Sequence, residues 1–202
     1  MNKKVLGIFA LAIVALFVLW FSTFGPLSGR GASKANPASL RPIATQTVVG
    51  TSTLSLNTYH NRDLAENFYT IAVPQAWRLQ SSNQAGGYQC SFANGTGTIG
   101  LQDVADNTTL ELFVLSQDEP KIKGSVTGYR RIDYQKLSIN GNDAYRLVYE
   151  SVINGAPYET VKTYVAGRDH AGVITLTVAQ NNFAAVRAVF DAVANSFWWE
   201  NK

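Results

Sequence analysis

The stretch Tyr129–Ala179, YRRIDYQKLSINGNDAYRLVYESVINGAPYETVKTYVAGRDHAGVITLTVA, decides how this chain folds. It contains two Asn-Gly pairs, Asn140-Gly141 and Asn154-Gly155, and both residue types tolerate the positive φ of a type I′ hairpin turn. Around them lie Ala144–Ile153, Pro157–Ala166 and Gly172–Ala179, rich in the Val, Ile, Tyr and Thr that suit a pleated surface. The pattern predicts a four-strand antiparallel meander. A two-residue turn at Asn154-Gly155 sets Ile153 opposite Ala156, Ser151 opposite Tyr158, Tyr149 opposite Thr160 and Tyr145 opposite Tyr164. Tyr145, Tyr149, Tyr158 and Tyr164 then share one side with Leu147, while Val148, Val152, Val161 and Val165 share the other. Both sides are apolar, so a cover is expected on each. The same register places Glu150 opposite Glu159, a like-charge pair that a bulge or a wet edge would relieve.

Upstream, Asn67–Val73 reads as a strand closed by Pro74, which has no N–H to donate. Pro74–Trp77 reads as a turn that returns Trp77 to the core. Tyr88–Phe92, the turn Asn94-Gly95 and Thr98–Val104 form the next hairpin. Thr108-Thr109-Leu110-Glu111 matches a capping box between Thr108 and Glu111, with helical spacing to Pro120; a strand over Leu110–Leu115 is the competing reading. Lys121–Gly128 reads as a loop. After Ala179, Asn181 or Asn182 opens a helix to about Ser196, with Phe183, Val186, Val189, Phe190, Val193 and Phe197 in one apolar stripe. Phe197-Trp198-Trp199 either packs under the sheet edge or forms a contact patch.

The N-terminus reads differently. Lys3-Lys4 precede Val5–Phe21, a run without a polar side chain, long enough as a helix to cross a bilayer core. We read residues 1–24 as an uncleaved signal anchor with a cytoplasmic N-terminus and the rest on the outer face. A cleaved secretory signal is the alternative. Residues 25–56 are rich in Gly, Ser, Pro and Ala and are expected to be a flexible stalk, with Val48–Tyr59 either its end or an edge strand. Residues 57–202 form the expected domain.

Charge divides along the same line. Residues 1–62 carry six basic and no acidic side chains, and residues 63–202 carry 11 basic and 14 acidic ones. The basic pI of about 9.0 therefore belongs to the N-terminal part, and nucleic acid is not the expected partner. Cys90 is the lone cysteine, which excludes an intramolecular disulfide.

Tyr69–Trp77, Thr108–Glu111, Ile139-Asn140-Gly141 with Ala144-Tyr145, and Asn195-Ser196-Phe197 resemble motifs of PsbP-like domains, relatives of the extrinsic PsbP subunit of photosystem II. The resemblance covers about residues 57–199. It implies an α+β fold, a central antiparallel sheet sandwiched between helices. That family includes photosystem subunits, a nuclear-import factor that binds a small GTPase, and bacterial exported proteins; none of these implies an enzyme. No position here matches a manganese or calcium role.

Catalytic motifs are missing from the sequence: there is no G-x-S-x-G elbow, Gly86-Gly87 lacks the Lys-Ser/Thr of a phosphate loop, and His60 and His170 are the only histidines. Neither a cofactor nor a metal is expected. The reading is a membrane-tethered, non-catalytic accessory or assembly factor that binds a protein partner. Its expected interaction surface comprises Tyr145, Tyr149, Tyr158, Tyr164, Trp198, Trp199, Arg130 and Arg131. Binding of a small apolar or lipidic ligand between sheet and helix is the second reading, and an enzyme the third.

Overall fold

The computed structural model describes residues 44–49, 52–61, 69–82 and 87–200. The expected anchor and most of the expected stalk lie outside these residues. Among the described residues no helix is long and apolar enough to cross a membrane.

Two antiparallel sheets carry the fold. The smaller contains β1 (Ala44–Val49), β2 (Ser52–Asn61), β3 (Tyr69–Pro74) and β11 (Trp198–Trp199), in the order β1-β2-β3-β11. The larger contains β4 (Arg78–Ser81), β5 (Tyr88–Phe92), β6 (Gly95–Asp103), β7 (Arg130–Ile139), β8 (Asn142–Ile153), β9 (Ala156–Ala166) and β10 (His170–Ala179), in the order β4-β5-β6-β10-β9-β8-β7. Among the described residues strand pairing begins at Ala44, ahead of the boundary expected at residue 57, where Thr45, Thr47, Val48 and Val49 replace the Gly- and Pro-rich composition.

The meander has the expected register: Ile153 pairs with Ala156, Tyr149 with Thr160, and Tyr145 with Tyr164. Asn140 and Gly141 have φ of 51° and 79°, and Asn154 and Gly155 have 52° and 80°, as type I′ turns require. Glu150 does face Glu159. No bulge separates them; Arg130, opposite Glu150 on β7, clamps it through Nε–Oε2 at 2.9 Å and Nη2–Oε1 at 2.6 Å. Burial first, and Glu150 second, still hold the Glu159 carboxyl above its ordinary range. The irregularity in this sheet falls on β7 instead, between Arg131 and Asp133.

Helical structure is more extended than the sequence reading allows. α1 (Leu110–Phe113), a π-helical turn (Val114–Asp118) and α2 (Glu119–Ser125) run on without a break through Pro120. Pro120 is tolerated because it sits in the first turn of α2, where a missing N–H costs little. The expected loop from Lys121 is therefore helix to Ser125. The cap is shifted by one residue: Thr109, not Thr108, accepts from the Leu112 N–H, so no capping box forms with Glu111. α3 (Phe183–Asn195) follows a short 3-10 turn (Gln180–Asn182).

These helices cover the large sheet only in part, which corrects the expected sandwich. On the valine side, Val148, Val161 and Val165 share a core with Phe190 and Val193 of α3, but also with Tyr69, Ile71 and Val73 of the small sheet. On the tyrosine side, Tyr145, Leu147, Tyr149 and Tyr164 pack against Phe113, Val114 and Ile122. The architecture is mostly antiparallel sheet because a second sheet takes over covering that helices were expected to do.

Two glycines test this arrangement. A Cβ on Gly155 meets no atom within 4 Å, so Gly155→Val tests the turn backbone alone and should cost about 1–2 kcal/mol. A Cβ on Gly172 would lie 2.2 Å from Cζ of the buried Phe197 ring, so Gly172→Ala should cost about 1–3 kcal/mol through overpacking. Denaturant titration of each variant checks both values; wild-type midpoints would contradict the assigned turn and the ring contact.

Candidate binding face

The tyrosine side of the large sheet is covered over β8 and β9 and left open over β4, β5 and β6. What stops the cover is a pair of consecutive carboxylates. Asp118, 4% exposed, ends the π-helical turn; its Oδ2 accepts from Lys162 Nζ at 2.6 Å and Tyr164 OH at 2.5 Å, and its Oδ1 accepts from Gln102 Nε2 at 3.2 Å. Lys162 and Tyr164 project from one side of β9 and Gln102 from β6, so Asp118 staples the helical segment across β10. Glu119 accepts from the Tyr129 hydroxyl and, at 2.6 Å, from Arg131 Nε, which ties α2 to the start of β7. Burial opposes ionisation of Asp118 more than any other single influence. The Lys162 ammonium and the hydrogen bonds from Lys162, Tyr164 and Gln102 together outweigh it and hold the carboxyl below its ordinary range.

Beyond this staple two polar rows cross the strands. In one, Arg78, Ser91, Thr96, Thr177 and Thr160 are successive cross-strand partners; in the other, Gln80, Gln89, Thr98, Thr175 and Lys162 are. Their sequence neighbours Leu79, Cys90, Ile99 and Leu176 point into the core, the in–out alternation of a half-solvated sheet. Burial pushes the Cys90 thiol up to about 12, which leaves it inert. The rows line an open hollow of about 360 Å³. A second hollow, of about 540 Å³, adjoins it across Thr96 and Thr177 and is walled by Asn94, Tyr158, Ile153, Asn181 and Asn182. Among the described residues Arg78 is the only charged side chain lining either.

The residues expected to form an interaction surface do not come together. Tyr145, Tyr149 and Tyr164 are buried beneath α1 and the π-helical turn, because the apolar face of that segment needs a cover as much as the sheet does. Trp199 is buried as well, its Nε1 donating to Ala166 O at 2.9 Å. These four are core and not surface. Trp198 is 48% exposed on β11, and Arg130 and Arg131 are exposed but occupied by Glu150 and Glu119. Tyr158 alone lines the open face. Elsewhere His170 Nε2 lies 2.9 Å from Asp103 Oδ1, and His60 Nδ1 lies 2.5 Å from Glu200 Oε1. No group of three potential metal ligands occurs among the described residues.

No protein-family model matches the chain, nor does any curated protein sequence. Solved structures do match. The solution structure of cyanobacterial PsbP (CyanoP) from Synechocystis sp. PCC 6803 is similar with a TM-score of 0.56 at 15% identity, over 76% of this chain and 97% of that one. LpqN of Mycobacterium tuberculosis, whose crystal structure is described as involved in cell envelope biogenesis, is similar with a TM-score of 0.51 at 15% identity, over 71% and 91% of the two chains.

The fold is that of PsbP. Within this PsbP-like fold, the Pro74–Trp77 motif does form a turn, with the Trp77 N–H donating to Pro74 O at 2.9 Å and the ring stacked on Phe92, centroids 4.4 Å apart. Asp118, Lys162 and Gln102 were not singled out by sequence reasoning, since they lie on three different elements and join only through the sheet. The open face had a fainter signal: the alternations Thr96-Gly97-Thr98 and Thr175-Leu176-Thr177 mark one side of each strand as polar.

The staple has a pH signature. The folded Asp118 carboxyl lies below its unfolded value, so its stabilisation is complete above the ordinary carboxylate range, about pH 4, and is lost as pH falls through the lower, folded value. Asp118→Asn should cost about 3 kcal/mol at neutral pH by leaving Lys162 unpaired, and should flatten the acid limb of the stability curve. Denaturant titrations across acidic pH test this; parallel limbs for wild type and variant would contradict it.

Proposed function

We propose that this chain is a non-catalytic binding module, held on the outer face of a membrane by its N-terminal apolar segment and acting as an accessory or assembly factor. The observation that carries this reading is the half-open sheet face: a hollow lined by hydroxyls and amides, next to a rigid core, with no acid–base pair in it. General acid–base catalysis works best with a group whose pKa lies near the working pH. The titratable side chains lining the hollows are Arg78, the buried Cys90 and Tyr158, with no carboxylate or imidazole among the described lining residues. The described histidines lie outside both hollows and are engaged by Glu200 and Asp103.

A protein partner fits the edge of this face. β4 ends the large sheet among the described residues, so an extended segment could pair with its outer side while its side chains meet Arg78 and Gln80. The fold shared with LpqN, a protein involved in cell envelope biogenesis, is compatible with a place outside the cytoplasm. An apolar ligand between sheet and helix finds less support, since Phe113, Val114 and Ile122 fill the tyrosine side.

The test is site-specific photo-crosslinking from Gln80 and from Thr98 in the full chain in its native membrane, with Lys123 on the exposed side of α2 as control. Discrete protease-sensitive adducts from Gln80 and Thr98, absent from Lys123 and retained with the membrane after carbonate extraction, are the expected result. Identical patterns from all three positions, no adducts at all, or a chain released by carbonate would contradict the reading.

A further inference from the structure

The larger of the two hollows has a chemistry of its own. The side chains that form it are amides, hydroxyls, one phenol ring and the aliphatic groups of Ile153 and Ala179, and none of its described lining residues is charged. Asn94 stands on the β5–β6 turn with φ of 61°, and Asn181 and Asn182 on the 3-10 turn before α3, so all three amides are carried by turns. Asn182 occupies the N-cap position of α3, yet its side chain makes no capping bond. That amide, strongly preferred as a cap, is left available to the hollow. Thr96 and Thr177 close the floor, and Tyr158 and the 42%-exposed Ile153 form an apolar wall.

The geometry points to a neutral carbohydrate as the occupant of this hollow. Anionic ligands such as phosphates and carboxylates are held by Arg or Lys, and cationic ones by carboxylates; the hollow offers neither. Amides and hydroxyls each provide both donors and acceptors. A sugar hydroxyl also donates and accepts, so a ring with several hydroxyls can use such a mixed lining fully. The C–H face of the ring is apolar and suits Tyr158 and Ile153. The volume of about 540 Å³ lies within the ~300–1,000 Å³ typical of ligand sites. The adjoining row of Thr98, Thr175, Gln89 and Gln80 lets a longer chain continue across the strands toward Arg78.

This inference rests on the binding-module reading only in using the same open face. The experiment is titration calorimetry on the full chain, solubilised in a detergent without a sugar headgroup, with maltotetraose, cellotetraose, chitotetraose and, as charged control, a heparin tetrasaccharide. The expected result is saturable binding of at least one neutral oligosaccharide, weakened about tenfold or more by Tyr158→Ala and by Asn182→Ala and unchanged by Lys123→Ala. Lack of binding by all three neutral sugars, binding indifferent to both substitutions in the hollow, or tighter binding of the heparin fragment would overturn it. If the sugars fail while Gln80 still crosslinks to a protein, the carbohydrate inference falls and the binding module stands. If a sugar binds and no crosslink forms, the carbohydrate site stands without the protein partner.

Discussion

The structure depends on how the C-terminal segment Ser196–Trp199 joins the two sheets. β11 pairs with β3 through Trp198–Thr70 and Trp199–Tyr69, which makes the segment part of the small sheet. The Phe197 and Trp199 rings touch both sheets. Phe197 stacks on Tyr69 with centroids 5.0 Å apart and reaches over to Gly172 of β10, and Trp199 lies against Gly167 in the β9–β10 turn. Polar atoms fix the same geometry. Ser196 Oγ accepts from the Ala72 N–H at 2.8 Å, satisfying an amide that β11 is too short to reach, and donates to backbone carbonyls on either side. Asn140 Nδ2, from the type I′ turn between β7 and β8, donates to Phe197 O at 2.6 Å and Asn195 O at 3.1 Å, so a hairpin turn also caps the end of α3. Removing a buried Phe ring from such a site costs about 3–5 kcal/mol, a large share of a domain's ordinary stability.

With the small sheet and α3 committed to the valine side, the other side of the large sheet is left to one helical segment, and that segment is too short to cover all of it. Asp118 and Glu119 settle where the cover ends. An ordinary helical turn would set consecutive residues about 100° apart. At the junction of the π-helical turn and α2 the two adjacent carboxylates are both buried, and both find cationic and phenolic partners. The uncovered strands β4, β5 and β6, with the Thr175–Thr177 part of β10, carry threonine, serine and glutamine outward. The open face is thus a consequence of packing: it is the part of the sheet with no apolar stripe opposite it.

Much of this was legible in the chain. The Asn-Gly turns, the meander register, the Trp77 turn and the α3 stripe all rest on local rules, φ preference and period, that tertiary contacts did not override. The tyrosines were placed on the correct side, and the cover expected for that side comes from Phe113 and Val114, within the helix read up to Pro120. Reading Tyr145, Tyr149 and Tyr164 as an interaction surface as well was at odds with that cover, and only the extension through Ile122 was hidden by Pro120 and Gly124. The small sheet was legible only in part: β3 falls within the strand read over Asn67–Val73 and β2 overlaps Val48–Tyr59, where an edge strand and the end of the stalk were both open, but the pairing from Ala44 was not expected and β11 is two residues long. The staple and the neutral hollow were out of reach for the same reason. Asp118, Lys162 and Gln102, or Asn94, Tyr158 and Asn182, meet only after the strand order β6-β10-β9 is set, and that order is non-local.

The central claim is that the C-terminal aromatic segment is an integral part of the core and not a tail resting on it. Native-state hydrogen exchange tests it most directly, through the Trp199 indole N–H bonded to Ala166 O, the Ala72 amide bonded to Ser196 Oγ, and the Ile174 amide in the middle of the large sheet. If the segment locks the sheets together, all three exchange only through global unfolding and report one common free energy. Exchange of the Trp199 indole and the Ala72 amide at rates far above that of Ile174 would show that the segment opens while the sheets stay joined, and would contradict the account.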